Sequence, residues 1–139
     1  DWISDRMEFM RAGEDHHDMA LAQLPENAPE RIPGTPGLEH FSYMIESFEE
    51  MERSIAMLQD RGVQIDRGPG KHGAGENCFI VFKDPDGNNV EFYCDMLQIT
   101  EDNPYEASVW RDGIEAFDQW HLKKFVVPPP ARFKNQDFD

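Results

Sequence analysis

The spacing of apolar residues along this chain shifts from a period of two to a helical period and back, and those shifts mark out the elements. Over residues 7–12 (Met-Glu-Phe-Met-Arg-Ala) apolar and polar side chains mix as in a half-buried strand, and Gly13-Glu14-Asp15 supplies a short turn. Residues 16–24 read as a second strand with His17, Met19 and Leu21 on one face. Four prolines and a glycine within residues 25–36 exclude regular structure there. Alternation resumes over 38–45, with His40, Ser42 and Met44 on one face and Phe41, Tyr43 and Ile45 on the other.

Phe48, Met51, Ile55 and Leu58 then recur at helical spacing, after the capping pair Ser47 and Glu50 and before a stop at Arg61-Gly62. The apolar face of this helix is expected to be core. A short strand is expected over 63–66, followed by a flexible glycine-rich loop over 68–75 that lacks the order of a phosphate-binding loop. Residues 77–83 and 89–95 are two strongly apolar strands joined by the turn Asp84-Pro85-Asp86-Gly87. Alternation puts Glu91 and Tyr93 on one face of the last strand and Val90, Phe92 and Cys94 on the other. Residues 104–124 suggest one or two short helices, and 126–139 an extended end. The chain thus divides into a strand pair at 1–24, a proline-rich linker at 25–37, a strand–helix–strand–strand–strand unit at 38–98 and a tail at 99–139.

At 139 residues this is one domain with a modest core. No apolar run approaches the ~20 residues of a membrane helix, and the opening residues lack the pattern of an export signal. Cys78 and Cys94 are expected to be reduced thiols in a cytoplasmic protein. The formal net charge of −15 argues against nucleic acid, whose phosphates need cations, and against anionic membrane. It leaves a small molecule or a protein as partner.

Five histidines carry the candidate chemistry: His16, His17, His40, His72 and His121. Glu91 lies in an otherwise apolar strand, on the core side by alternation, where a carboxylate needs a partner or a metal. His40 opens a strand of the same unit, and His72 precedes the hairpin that carries Glu91. Two imidazoles and a carboxylate with open positions suit non-haem Fe(II) oxygen chemistry.

Four stretches in order make the sequence resemble a known family. They are Glu14-Asp15-His16-His17-Asp18-Met19-Ala20-Leu21, Gly37-Leu38-Glu39-His40-Phe41, Gly68-Pro69-Gly70-Lys71-His72-Gly73 and Asp84-Pro85-Asp86-Gly87-Asn88-Asn89-Val90-Glu91-Phe92. Together they resemble the vicinal-oxygen-chelate superfamily, and within it the type I extradiol ring-cleaving dioxygenases. The resemblance implies an α+β fold of βαβββ modules forming an open, cup-shaped mixed sheet, with an incomplete first module. It implies that His40 and Glu91 hold Fe(II) or Mn(II), and that His17 is the acid/base beside the dioxygen site and the nearby substitute for a third ligand. His72 would hydrogen-bond the substrate hydroxyl, while His16 is a neighbour without a role and His121 a surface tail residue. The substrates implied are a small aromatic diol and dioxygen. Two departures stand out: the family's upstream metal histidine lies outside this sequence, and Val81 occupies the usual position of a tyrosine ten residues before the glutamate. The same scaffold also serves ligand- or metal-binding proteins without ring cleavage, lyases and isomerases. Half a unit at 1–24 would leave strand edges open, so a homodimer is expected, with the aromatic tail also available to cover that edge.

Overall fold

The computed structural model describes residues 1–24 and 37–120. The expected linker apart from Gly37, the extended end and His121 lie outside the described residues. Ten elements follow in order: β1 (Trp2–Ile3), β2 (Met7–Met10), β3 (Met19–Ala22), β4 (His40–Met44), α1 (Phe48–Asp60), β5 (Ile65–Lys71), β6 (Cys78–Lys83), β7 (Asn89–Cys94), β8 (Val109–Trp110) and α2 (Ile114–Phe117). They form two open four-stranded sheets of strand order β3-β2-β1-β8 and β4-β7-β6-β5. Both sheets are mixed, because β8 runs parallel to β1 and β4 parallel to β7. This is the α+β architecture that the sequence implies.

The second sheet is built around the helix. The Ser47 side chain accepts from the Glu50 N–H at 3.2 Å, so the N-cap forms, while the Glu50 carboxylate pairs with Arg53. The helix ends at Arg61, with Gly62 at φ +74°. Met51, Ile55 and Leu58 pack on Cys78, Ile80, Phe82, Val90 and Cys94 from β6 and β7, which makes the apolar core. Each such side chain contributes about 1.5–3 kcal/mol by leaving water. Glu91 alternates to the opposite face of β7, yet is also buried at 5% exposure. Its burial therefore comes on the face of β7 away from the helix-packed core.

Four expectations change. The first 24 residues hold three strands rather than two, and the tail contributes the fourth as β8. His16 and His17 precede β3 instead of lying in it, because the Asp18 carboxylate accepts the Ala12 and Gly13 N–H groups and turns the chain there. The glycine-rich stretch is not a flexible loop: through Lys71 it is the edge strand β5, whose register shifts accommodate Pro69. Residues 104–120 form a two-residue strand and one short helix.

Backbone bonds join the two sheets at one end. The His16 N–H donates to Leu97 O at 2.8 Å, Leu97 to Gly75 O at 2.9 Å and Ile99 to Glu14 O at 2.7 Å. The tail runs back along the same end, with Gly73 donating to Ala116 O at 3.1 Å and Gln119 to Lys71 O at 2.6 Å. No helix among the described residues is long and apolar enough to cross a membrane.

Candidate metal centre

Glu91 and two of the predicted histidines meet. His40 Nε2 lies 3.5 Å from Glu91 Oε2, and His72 Nε2 lies 3.9 Å from the same oxygen. Parallel pairing makes this possible: Ser42 of β4 stands opposite Glu91, which puts His40 two residues along the same face. His72 follows β5, and its ring stacks on Phe79 with centroids 3.9 Å apart and planes 3° from parallel. Val81 stands directly across from Glu91 in β6 and is buried, so no proton donor occupies that neighbouring position.

The other nitrogen of each ring is already committed. His40 Nδ1 hydrogen-bonds the Glu39 carboxylate. That carboxyl is held down at about 2, chiefly by the bond from His40, so it is an acceptor only. His72 Nδ1 donates to Phe117 O at 2.7 Å, again an acceptor only. Both rings therefore carry hydrogen on Nδ1 and turn Nε2 toward a carboxylate oxygen. Lone pairs that face one another repel unless a proton, a water or a cation lies between them, and the Glu91 carboxylate is the buried member of this group. A proton on His40 answers this in part, and the His40 pKa is raised, first by Glu39 and also by Glu91, against the effect of burial.

A hydrogen bond of that kind would close to about 2.7–2.9 Å. Donor atoms bound at about 2.1 Å to one ion and 90–110° apart are about 3.0–3.5 Å from each other. The His40–Glu91 separation fits a shared divalent ion. His72 lies farther out, where it can reach a molecule beside that ion.

His17 belongs to a second group. Its Nδ1 is 3.0 Å from His16 Nδ1, and its ring packs on Phe9 with centroids 4.8 Å apart. Burial, then the neighbouring imidazoles of His16 and His72, push the His17 pKa down to about 4; burial does the same to His16. Both are neutral at pH 7. Gly75 holds this pair close: it has φ +87°, and a Cβ there would sit 3.1 Å from both rings.

Sequence reasoning missed three features. Glu39 precedes β4, and alternation gives no sign that it bonds the next residue's ring. Phe117 acts through its carbonyl, which no side-chain pattern reveals. The third lies elsewhere: Cys78, Cys94 and Asp95 are the one trio of potential donors among the described residues with all atoms within 4.8 Å of one another. Both thiols are free, and burial raises their pKa values, that of Cys94 to about 12, so they are protonated and poor ligands at neutral pH. A groove of about 480 Å³ beside Arg11, Ile99 and Tyr105 includes none of the predicted site residues.

Residues 2–92 match the Glyoxalase/Bleomycin resistance protein/Dioxygenase superfamily. Biphenyl-2,3-diol 1,2-dioxygenase 3 of Rhodococcus globerulus is 33% identical over 96 residues, which are 68% of this chain and 49% of that protein. The chain spans about half the length of the curated relatives it matches first. Among solved structures, a Mn(II)-bound glyoxalase from Novosphingobium aromaticivorans superposes with a TM-score of 0.73 at 30% identity, over 87% of this chain and 36% of that one. A Pseudomonas 2,3-dioxygenase gives 0.64 at 27% identity, over 76% and 33%. On the strength of the match to residues 2–92, this chain belongs to the Glyoxalase/Bleomycin resistance protein/Dioxygenase superfamily.

Proposed function

We propose that this chain is part of an extradiol ring-cleaving dioxygenase that inserts dioxygen next to the diol of a catechol, using Fe(II) or Mn(II). The observation that supports it is the convergence of two Nε2 lone pairs on the buried Glu91 carboxylate. His40 and Glu91 would hold the ion. When bound, it would supply the open positions and the redox and Lewis-acid chemistry that side chains lack.

The remaining roles follow from the protein groups themselves. His17, neutral at pH 7, can take a proton from a substrate hydroxyl and return it later, and it is also the candidate for a third ligand. His72, its ring fixed between Phe79 and the Phe117 carbonyl, would accept a hydrogen bond from the substrate hydroxyl at Nε2. Val81 excludes water beside Glu91 but moves no proton, so proton transfer falls to the two histidines. Anaerobic loading with Fe(II) or Mn(II), followed by oxygen uptake with a panel of catechols, tests the proposal. Uptake with a yellow ring-opened product is expected; absence of both with either metal contradicts it for this chain.

A second reading has its own support. The solved neighbour with a TM-score of 0.73 is a Mn(II)-bound glyoxalase, which favours metal-dependent lyase or isomerase chemistry, or binding alone, on the same scaffold. Metal binding without oxygen uptake selects it. A homodimer is also proposed: β3 and β4 are edge strands bearing the exposed Met19, Leu21, Tyr43 and Met44. The tail already covers β1, which leaves β3 for a second copy. Light scattering that shows a monomer at micromolar concentration counts against it. The free thiols Cys78 and Cys94 support a cytoplasmic setting.

A further inference from the structure

His16 has no place in the scheme above, yet it is the most buried of the described histidines, at 4% exposure. Its two nitrogens meet opposite kinds of neighbour. Nδ1 is 3.0 Å from His17 Nδ1, a contact in which one ring must donate and the other accept. Nε2 is 3.1 Å from Asp1 Oδ2, off the line of a hydrogen bond, with both side chains sealed from solvent. The Asp1 carboxylate is itself fixed by Tyr105 Oη, the Ser108 N–H and Trp110 Nε1, at 2.7–3.0 Å. Tyr105 also stands edge-on to the His16 ring, with centroids 5.3 Å apart.

His40 and His72 have their tautomers set by a carboxylate and a carbonyl, which can only accept. His17 differs, because its Nδ1 faces another imidazole that can play either part. The direction is decided one step farther back. Against an ionised carboxylate oxygen at 3.1 Å, a ring nitrogen is stable as N–H and repelled as a lone pair. That places the proton of neutral His16 on Nε2 and leaves its Nδ1 as an acceptor. His17 must then donate from Nδ1, which leaves Nε2 unprotonated.

We propose that His16, oriented by Asp1, is a positioning residue that fixes His17 in the Nδ1–H tautomer, so that His17 presents a basic Nε2 for chemistry. This rests on the reading of His17 as the acid/base group, and it gives all three site imidazoles the same polarity. The chain assigns that polarity by an Asp1–His16–His17 relay at one ring and by direct acceptors at the other two.

The test needs neither metal nor catechol. Long-range proton–nitrogen correlation spectra of the ¹⁵N-histidine-labelled full chain at pH 7 report which nitrogen of each ring carries hydrogen. For His17 the expected pattern is a protonated Nδ1 and a bare Nε2. His16→Leu removes the acceptor and should move the His17 proton to Nε2. His16→Gln, whose side-chain carbonyl can accept, should restore the Nδ1–H form, a distinction that a merely structural role would not produce. Asp1→Asn should give a mixture of the two forms. A wild-type His17 protonated on Nε2 overturns the proposal whether or not any variant folds, and so does a His16→Leu spectrum with the His17 tautomer unchanged. A wild-type chain that shows the expected His17 tautomer but no ring cleavage would instead count against the proposed reaction and leave this assignment standing.

Discussion

The two sheets have the same number of strands and similar antiparallel runs, but they are completed in different ways. The sheet β4-β7-β6-β5 is completed by its own crossover: α1, between the two edge strands β4 and β5, covers one face, and β4 lies parallel to β7 with His40 on the other. The sheet β3-β2-β1-β8 has no such crossover among the described residues and takes its fourth strand from the tail. All four residues of β3 are exposed, whereas five of the six in β6 are buried. One sheet therefore carries most of the core and the donors proposed to hold the metal. The other supplies an outer wall and the His16–His17 pair.

If this division is right, substitutions should separate the sheets sharply. Ile80→Ala, which empties a site of 0% exposure under α1, should lower unfolding free energy by about 2–5 kcal/mol in denaturant titrations. Leu21→Ala on β3, at 56% exposure, should stay within about 0.5 kcal/mol. Equal losses would show that the core is shared between the sheets.

Acid should act mainly on the wall. His16 and His17 titrate near 4 in the folded chain against an ordinary 6.5. The unfolded chain therefore binds more protons between these values, and their contribution, full above pH 6.5, is lost as pH falls toward 4. His40 is shifted up and opposes this more weakly, its stabilisation being present below 6.5 and lost as pH rises through its folded value. Stability should thus decline from pH 7 to 5, with a slope of at most about 1.4 kcal/mol per pH unit for each proton taken up. Urea unfolding at several pH values measures it, and His16→Gln should flatten the decline.

Gly75→Ala tests the seam between the sheets. The left-handed backbone and the 3.1 Å approach to both histidines predict a loss of about 1–2 kcal/mol in thermal or denaturant unfolding. Ser47→Ala removes one cap and should cost about 1 kcal/mol, confined to the helix-bearing sheet.

The contrast also explains what could be read from the sequence. The helix, its Ser47 cap and the Asp84-Pro85-Asp86-Gly87 hairpin depend on signals within a few residues, and they form as expected. Strands β1 and β8 are two residues each and exist because Trp2 pairs with Val109, far along the chain, which no local pattern encodes. The glycine-rich stretch misled for a related reason. A Cβ on Gly73 would lie 2.7 Å from the Trp110 ring, so that glycine serves close packing and not mobility. That His40, His72 and Glu91 meet could be expected, because His40 and Glu91 lie on strands of one unit and His72 just before the hairpin that carries Glu91. The Phe117 carbonyl and the Asp1–His16 pair could not be, because their roles arise only when distant segments meet, and Glu39 could not be, because alternation gives no sign that a carboxylate bonds the ring of the next residue.

The central claim is that His40 and Glu91 hold a divalent ion, and calorimetric titration of Mn(II), or of Fe(II) without oxygen, into the full chain at pH 7 tests it most directly. One ion per chain should bind, with affinity reduced at least about a hundredfold in His40→Ala and in Glu91→Gln and unchanged in Cys78→Ser. Binding that survives both site variants, or that disappears only with Cys78→Ser, would contradict the account.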